Sequence, residues 1–328
     1  AWEAALANTL SPGDRVLFCT SGQFAVQWSK VATRFGLQVE ELVGDWRFRV
    51  DPDQVTAKLR ADPAIKAVAL VHNETSTGIL SDIAAIRRAI DRAEHSALLM
   101  VDAVSSLGAV DYRHDEWGVD VTVAGSQKGL MLPPGLSFNA ISQQALSAAQ
   151  EARLPRSYWD WAPLLNAAER GFFPYTPATN LLFGLDEALK MLLEEGLDQV
   201  FARHLRFAHA TRNAVTTWNL EVYGRDEEAH SPTLTAVLMP QGYDADQLRK
   251  LILERFDLSL GTGLGPLQGQ LFRIGHLGSI NDLMLCGTLS GIEMGLDLAG
   301  VPHKKGGVQA ALNMLAVTSG HRKENTGV

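Results

Sequence analysis

Lys128 is the only ionisable residue across positions 121–142, a single amine set among apolar and neutral side chains. Most lysines are solvated surface charges. Burial disfavours the ammonium form and lowers the pKa, the state that a carbonyl-capturing amine requires. Asp102 is its counterpart, the only ionisable residue across positions 97–110, placed directly after the apolar run 97–101. An acid in that setting finds a cationic partner, caps the turn that follows, or has its pKa raised. A direct ion pair between Asp102 and Lys128 is the plain structural alternative to a ligand shared by the two.

Placing both groups in one site requires a framework, and the hydrophobic pattern supplies it. Short apolar runs at 15–19, 37–42, 65–71, 97–101, 121–124 and 136–141 read as strands, with helical periods at 23–35, 52–60 and 83–94 between the earlier ones. Near-continuous apolar strands separated by helices predict an α/β domain with a mostly parallel sheet covered on both faces. In such sheets ligands collect at the carboxyl ends of the strands, where both lone charges fall. Pyridoxal phosphate needs a Schiff-base lysine and a carboxylate facing its pyridinium nitrogen, and this pair matches that demand.

Past the sheet, 177–218 reads as a long helical region interrupted at Gly184 and Gly196, and the pattern then changes character. Strands at 233–239 and 271–275, helices at 245–256 and 281–298, and a glycine-rich connection at 261–269 predict a smaller α+β unit. The expected division is a large domain over 1–195, a small domain over 196–302, and a poorly ordered tail over 303–328. The first ten residues read as an amphipathic helix already in progress without an N-cap, so residues preceding Ala1 are expected to be missing.

Length and composition narrow the class. A chain of 328 residues suggests about two domains, and 46% hydrophobic with 20% charged residues supports a large core. The net charge of −8 and the absence of a basic cluster argue against a nucleic-acid backbone as partner. Only Cys19 and Cys286 occur, both in apolar segments, which fits a reducing, cytoplasmic setting rather than a disulfide framework. No apolar run reaches the length of a membrane span.

Several ordered motifs carry a resemblance. His72-Asn-Glu-Thr-Ser-Thr-Gly78, Val101-Asp-Ala-Val-Ser-Ser-Leu-Gly108 and Gly125-Ser-Gln-Lys-Gly-Leu-Met-Leu-Pro-Pro-Gly135 resemble the class V aminotransferases. Gly171-Phe-Phe-Pro-Tyr-Thr-Pro-Ala-Thr179 and Leu271-Phe-Arg-Ile-Gly-His-Leu-Gly278 resemble their serine–glyoxylate branch, close to the alanine–glyoxylate and serine–pyruvate enzymes. The resemblance implies the pyridoxal-phosphate fold type I and transfer of an amino group from serine or alanine to glyoxylate. It implies that Lys128 carries the cofactor as a Schiff base and that Asp102 keeps the ring nitrogen protonated. Thr75 would lie near the ring oxygen, Val104 would pack on the ring face, Gln127 would contact the phosphate, and Arg273 would clamp the substrate carboxylate. Thr176 would reach the phosphate bound by a neighbouring subunit, which implies a homodimer. The relatives' Ser-Gly or Thr-Gly phosphate cradle falls just before Ala1, so a chain starting there is expected to hold the cofactor weakly. Ser21 stands where relatives stack an aromatic residue on the ring, and Phe24 and Trp28 are the candidates to replace it.

Rival chemistries leave weaker traces. Cysteine desulfuration needs a mobile thiol, and neither cysteine lies on a long loop. Ser126 with Lys128 would form a serine–lysine hydrolase pair, although 125–129 does not fit the G-x-S-x-G elbow. A catalytically inactive dimer scaffold is a further alternative for the chain as it stands. Gly261-Thr-Gly-Leu-Gly265 leads into a strand, unlike a dinucleotide fingerprint. The nine histidines show no metal-ligand spacing. His72 and His276 either line the site or are packed, and the tryptophans at 28, 46, 117, 159, 161 and 218 read as core or interface anchors.

Overall fold

A computed structural model describes residues 1–318. The chain opens with α1 (Trp2–Thr9), β1 (Arg15–Thr20), α2 (Gln23–Arg34), β2 (Gln38–Val43), α3 (Pro52–Ala61) and β3 (Ile65–Val71). A tight hairpin follows, β4 (Asn73–Glu74) with β5 (Ile79–Leu80), and then α4 (Ile83–Arg92), β6 (Leu98–Asp102), β7 (Val121–Gly125) and β8 (Ser137–Ile141). The six long strands form one sheet in the order β2-β1-β3-β6-β7-β8, parallel throughout except for the edge pair β7–β8.

The reason for the unbroken apolar runs is visible in the core. Along β6, Leu98 and Met100 point to the face that holds Leu6, Phe18, Trp28 and Trp161. Leu99 and Val101 point to the opposite face, against Val55, Ile86 and Ile90 of α3 and α4. Successive strand residues alternate faces, so a strand covered on both sides must be apolar at every position. The next residue in the even register is Asp102, which faces α1 where the apolar cover ends.

The second half comprises α5 (Gln143–Glu151), α6 (Trp161–Ala168), α7 (Thr179–Glu195), α8 (Leu197–Thr217) and β9 (Glu221–Val222). It continues with β10 (Leu234–Leu238), α9 (Ala245–Phe256), β11 (Gly261–Thr262), β12 (Leu271–Gly275), α10 (Asp282–Leu298) and α11 (Gly307–Thr318). A four-stranded antiparallel sheet, β11-β12-β10-β9, packs on α8, α9 and α10.

Four expectations need correction. The helix α7 runs through Gly184 without interruption, because a glycine inside a helix weakens it by only about 1 kcal/mol. A Cβ at Gly184 would lie 3.1 Å from Leu132 Cδ2, so the small residue serves close packing. The true break is Gly196, whose φ of 84° stops α7. The stretch 143–168, for which the sequence pattern predicts no element, forms α5 and α6 with side-chain caps from Ser142 and Asp160. The glycine-rich stretch 261–269 is packed: a Cβ at Gly263 would meet Leu267 O at 2.0 Å. Within the expected tail, residues 307–318 form α11, which buries Ala311 and Leu315 in one core with α8, α9 and α10. Residues 319–328 of that tail lie outside the described residues.

Candidate active site

Asp102 is 4% exposed at the carboxyl end of β6. Its Oδ1 accepts from the Val104 N–H at 2.8 Å and its Oδ2 from the indole N–H of Trp2 at 2.7 Å. Burial pushes its pKa up to about 6, opposed by those two donors and assisted by the negative charge of Glu74. Lys128 follows β7 in a loop tightened by Met131 N–H to Lys128 O (2.9 Å) and Leu132 N–H to Ser126 O (3.1 Å). The adjoining Gly129 presses on the β6 loop so closely that a Cβ would stand 2.1 Å from Leu107 O. The amine is half-buried and has no hydrogen bond or ion pair among the described residues. Burial lowers its pKa, and the positive charge of Arg273 lowers it further. The direct Asp102–Lys128 ion pair is therefore not formed.

Thr75 sits on the β4–β5 hairpin and joins the site to both sheets. Its hydroxyl lies 2.8 Å from Ser105 Oγ, which also accepts from Asn73 Nδ2 (2.9 Å) and donates to Asn73 O (2.7 Å). A carbonyl only accepts and an amide nitrogen only donates, so the single Ser105 proton goes to Asn73 O. Thr75 must then donate to Ser105, which leaves the threonine oxygen with only lone pairs to offer a ligand. The Thr75 carbonyl accepts from Arg273 Nη1 at 2.7 Å, while Arg273 Nε donates to Thr262 O at 2.8 Å. Two backbone carbonyls thus aim the guanidinium, and Nη2 has no partner among the described residues. Asn73 Nδ2 also reaches Thr233 Oγ1 at 2.8 Å, tying the hairpin to the small domain.

Val104 and Gln127 line an open cavity of about 520 Å³ together with Trp2, Glu3, Val31 and Pro134. A larger groove of about 1100 Å³, lined by Ser11, Lys66, Ser96 and Arg153, lies at the amino ends of the strands, the edge at which parallel sheets do not collect ligands. Thr176 is not brought to the others: it is exposed on the stretch before α7, beside exposed Phe172, Phe173 and Tyr175.

The structure places the remaining candidates as follows. Ser21 is buried, and its hydroxyl has no hydrogen-bond partner among the described residues. Trp28 is buried and stacks on Trp2 at 5.8 Å and 11°, so Trp2 is the aromatic ring that contacts Asp102. His72 is packed against Tyr112 and Trp117 with Nδ1 at 2.9 Å from Ser106 Oγ. His276 is held by Pro232 O and Thr235 Oγ1. Burial drives both rings down to a pKa of about 3, so they are structural neutral imidazoles. Ser126 is fully buried, donating to Pro133 O at 2.8 Å and accepting from Leu136 N–H at 3.2 Å, which removes it as a nucleophile. Burial pushes the Cys19 thiol up to about 12 and also raises Cys286, so neither is a ready thiolate. Trp2, Asn73, Glu74 and Ser105 were missed by sequence reasoning. Their proximity to the motif residues was a signal for the last three, whereas nothing local marks Trp2.

A mostly parallel sheet flanked by helices, followed by a smaller antiparallel unit and carrying a buried acid and, at the end of the adjacent strand, an amine without a partner among the described residues, is the pyridoxal-phosphate fold type I. The chain belongs to the class V aminotransferases, since the model of that family, "Aminotransferase class-V", matches residues 2–267. Serine–glyoxylate aminotransferase of Methylorubrum extorquens is 47% identical over 322 residues, 96% of this chain and 80% of that protein. L-aspartate–glyoxylate aminotransferase of Paracoccus denitrificans is 45% identical over 94% of this chain and 79% of that one. The crystal structure of pyridoxamine–pyruvate aminotransferase from Mesorhizobium loti superposes with a TM-score of 0.90 at 33% identity, covering 97% of this chain and 82% of that chain. The protein is thus an aminotransferase, and no helix among the described residues is long and apolar enough to cross a membrane.

Proposed function

We propose that this aminotransferase moves the amino group of serine, with alanine as a second donor, to glyoxylate, using pyridoxal phosphate in a cytoplasmic homodimer. The carrying observation is the pair of solitary charges: Lys128 without a partner among the described residues and Asp102 with both oxygens met only by neutral donors. The donor set suits the cofactor, because an amine without a partner among the described residues is available for its aldehyde, a buried carboxylate hydrogen-bonded only by neutral donors is available for its ring nitrogen, and apolar Val104 lines a nearby open cavity with Gln127. When bound, pyridoxal phosphate supplies an aldehyde for covalent capture of amines and a ring that withdraws electrons from the donor's α-carbon.

The protein's own groups do the rest. Lowering the Lys128 pKa enlarges the neutral, nucleophilic fraction of the amine, and the same nitrogen, once freed, takes the donor α-proton as general base and returns it. Asp102 would hold the cofactor's ring nitrogen in its protonated form. With a pKa of about 6, it is mainly ionised at neutral pH. Val104 would pack on the ring face, Gln127 would contact the phosphate, and the lone pairs of the Thr75 hydroxyl would serve the ring oxygen. Arg273 clamps the substrate carboxylate with its open edge, whose planar fork suits a carboxylate better than a lysine would. Thr176 and the exposed aromatic residues beside it support a second subunit that completes the phosphate contacts.

The test is Lys128→Ala. Turnover of serine with glyoxylate should vanish while circular dichroism and melting temperature stay close to the parent. Normal multiple turnover by that variant would overturn the reading.

A further inference from the structure

Glu74 is fully buried and titratable, and beyond the influence of its charge on Asp102 it has no part in the chemistry above. Its carboxylate accepts from the backbone N–H groups of Ala25 (3.2 Å) and Phe24 (3.4 Å), and from the N–H and hydroxyl of Ser76 (3.0 and 2.6 Å). Ser76 Oγ in turn accepts from the Gln23 N–H at 2.9 Å. The first N–H groups of a helix have no intrahelical carbonyl to meet. For α2 those donors are satisfied by the β4–β5 hairpin, not by a cap of its own. Gly22, at the N-cap position, leaves the space: a Cβ there would stand 2.3 Å from Glu74 Cγ and 2.7 Å from Ser76 Oγ. Its φ of 172° is ordinary extended backbone, so the demand for glycine is purely one of volume.

Thr75 lies between these two anchored residues, and its carbonyl is one of the two acceptors that aim Arg273. A chain of fixed contacts therefore runs from the first turn of α2, through Glu74 and the Thr75 peptide, to the guanidinium. The charge of Glu74 also acts on Arg273 directly, favouring its charged form against burial and the neighbouring Arg249.

We propose that Glu74 is the positioning residue for the Arg273 clamp, its carboxylate fixing the hairpin peptide that sets where a substrate carboxylate is held. The proposal rests on the reading of Arg273 given above. It predicts that Glu74→Gln, which removes the charge, and Gly22→Ala, which keeps the charge but displaces the carboxylate, have the same effect. Both should raise KM for serine and for glyoxylate about tenfold while kcat stays within about threefold, the pattern of a lost binding contact. Glycolate, an unreactive carboxylate followed by tryptophan fluorescence, should lose affinity by the same factor. Arg273→Lys is measured in parallel. If it raises KM but neither the Glu74 nor the Gly22 variant does, or if those variants lower kcat with KM unchanged, the positioning role is overturned. If Arg273→Lys itself leaves KM and glycolate binding unchanged, the clamp reading falls instead. Should Glu74→Gln fail to fold, Gly22→Ala and the milder Ser76→Ala decide the question by the same split.

Discussion

Asp102 and Thr176 are held in opposite ways. The acid ends a central strand, is 4% exposed, and has each carboxylate oxygen met by a donor from its own chain. The threonine lies on an exposed stretch between α6 and α7, with Phe172 71% exposed beside it and Phe183 77% exposed on α7. Large apolar side chains clustered in water mark a surface meant to be covered. A group at a parallel strand end thus has its partners within one chain, whereas a group on such a stretch has none there and, on the proposed reading, takes them from a second subunit.

That contrast is sharpest for Asp102→Asn. Loss of a charge in a buried, preorganised position should lower kcat about 10³-fold, with the subunit association unchanged. A loss of less than about tenfold in steady-state assays would deny the acid its ring-facing role.

Acid should attack the buried region and spare the exposed one. His72 and His276 are held neutral with pKa values of about 3, below the ordinary 6.5, so the unfolded chain binds their protons first. Their contribution is complete above pH 6.5 and is lost progressively as pH falls toward 3. Asp102 works in the other direction. Its folded pKa of about 6 lies above the ordinary 3.8, so between those values it returns part of the stability as pH falls. Two histidines outweigh one acid, and urea unfolding at pH 5 should show on the order of 2 kcal/mol less stability than at pH 7.5. Replacing His276 by Gln should flatten that slope. An unchanged slope would show that the imidazole is not what acid attacks.

The smallest effect is expected at the exposed region. Thr176→Val should weaken cofactor binding about tenfold through the loss of one hydroxyl contact to a charged group, with kcat at saturating cofactor little changed. Phe183→Glu should shift sedimentation toward the monomer and weaken cofactor binding at the same time. If the glutamate left the association intact, the subunit contact would lie on another face.

How much was readable from sequence differs along the same line. The strands of the large sheet could be placed within a residue or two because double-sided burial keeps the central strands almost wholly apolar, β3 being interrupted only by exposed Lys66 and β6 running apolar up to Asp102. Lys128 and Asp102 stood out for the same reason, as charges in runs that tolerate none. The helices α5 and α6 were missed because they bury little, leaving only Ala145 in one and Trp161 and Ala167 in the other fully covered. The helix α11 is not legible in the sequence because its two core anchors, Ala311 and Leu315, are too few to give a clear period. Gly184 was misread because the residue type alone does not distinguish a helix break from a close approach.

From the sequence alone came the two-sided sheet, the amine, the acid and the family to which they belong, since each leaves a local mark in residue type or spacing. The tertiary structure alone decided that Trp2 rather than Trp28 meets the acid, that Ser126 and both candidate histidines are buried supports, and that Glu74 and Thr75 link the first turn of α2 to Arg273. These are contacts between segments far apart in the chain. A hydrogen bond is set by a few tenths of an ångström between such segments, and no local pattern of residues encodes that distance.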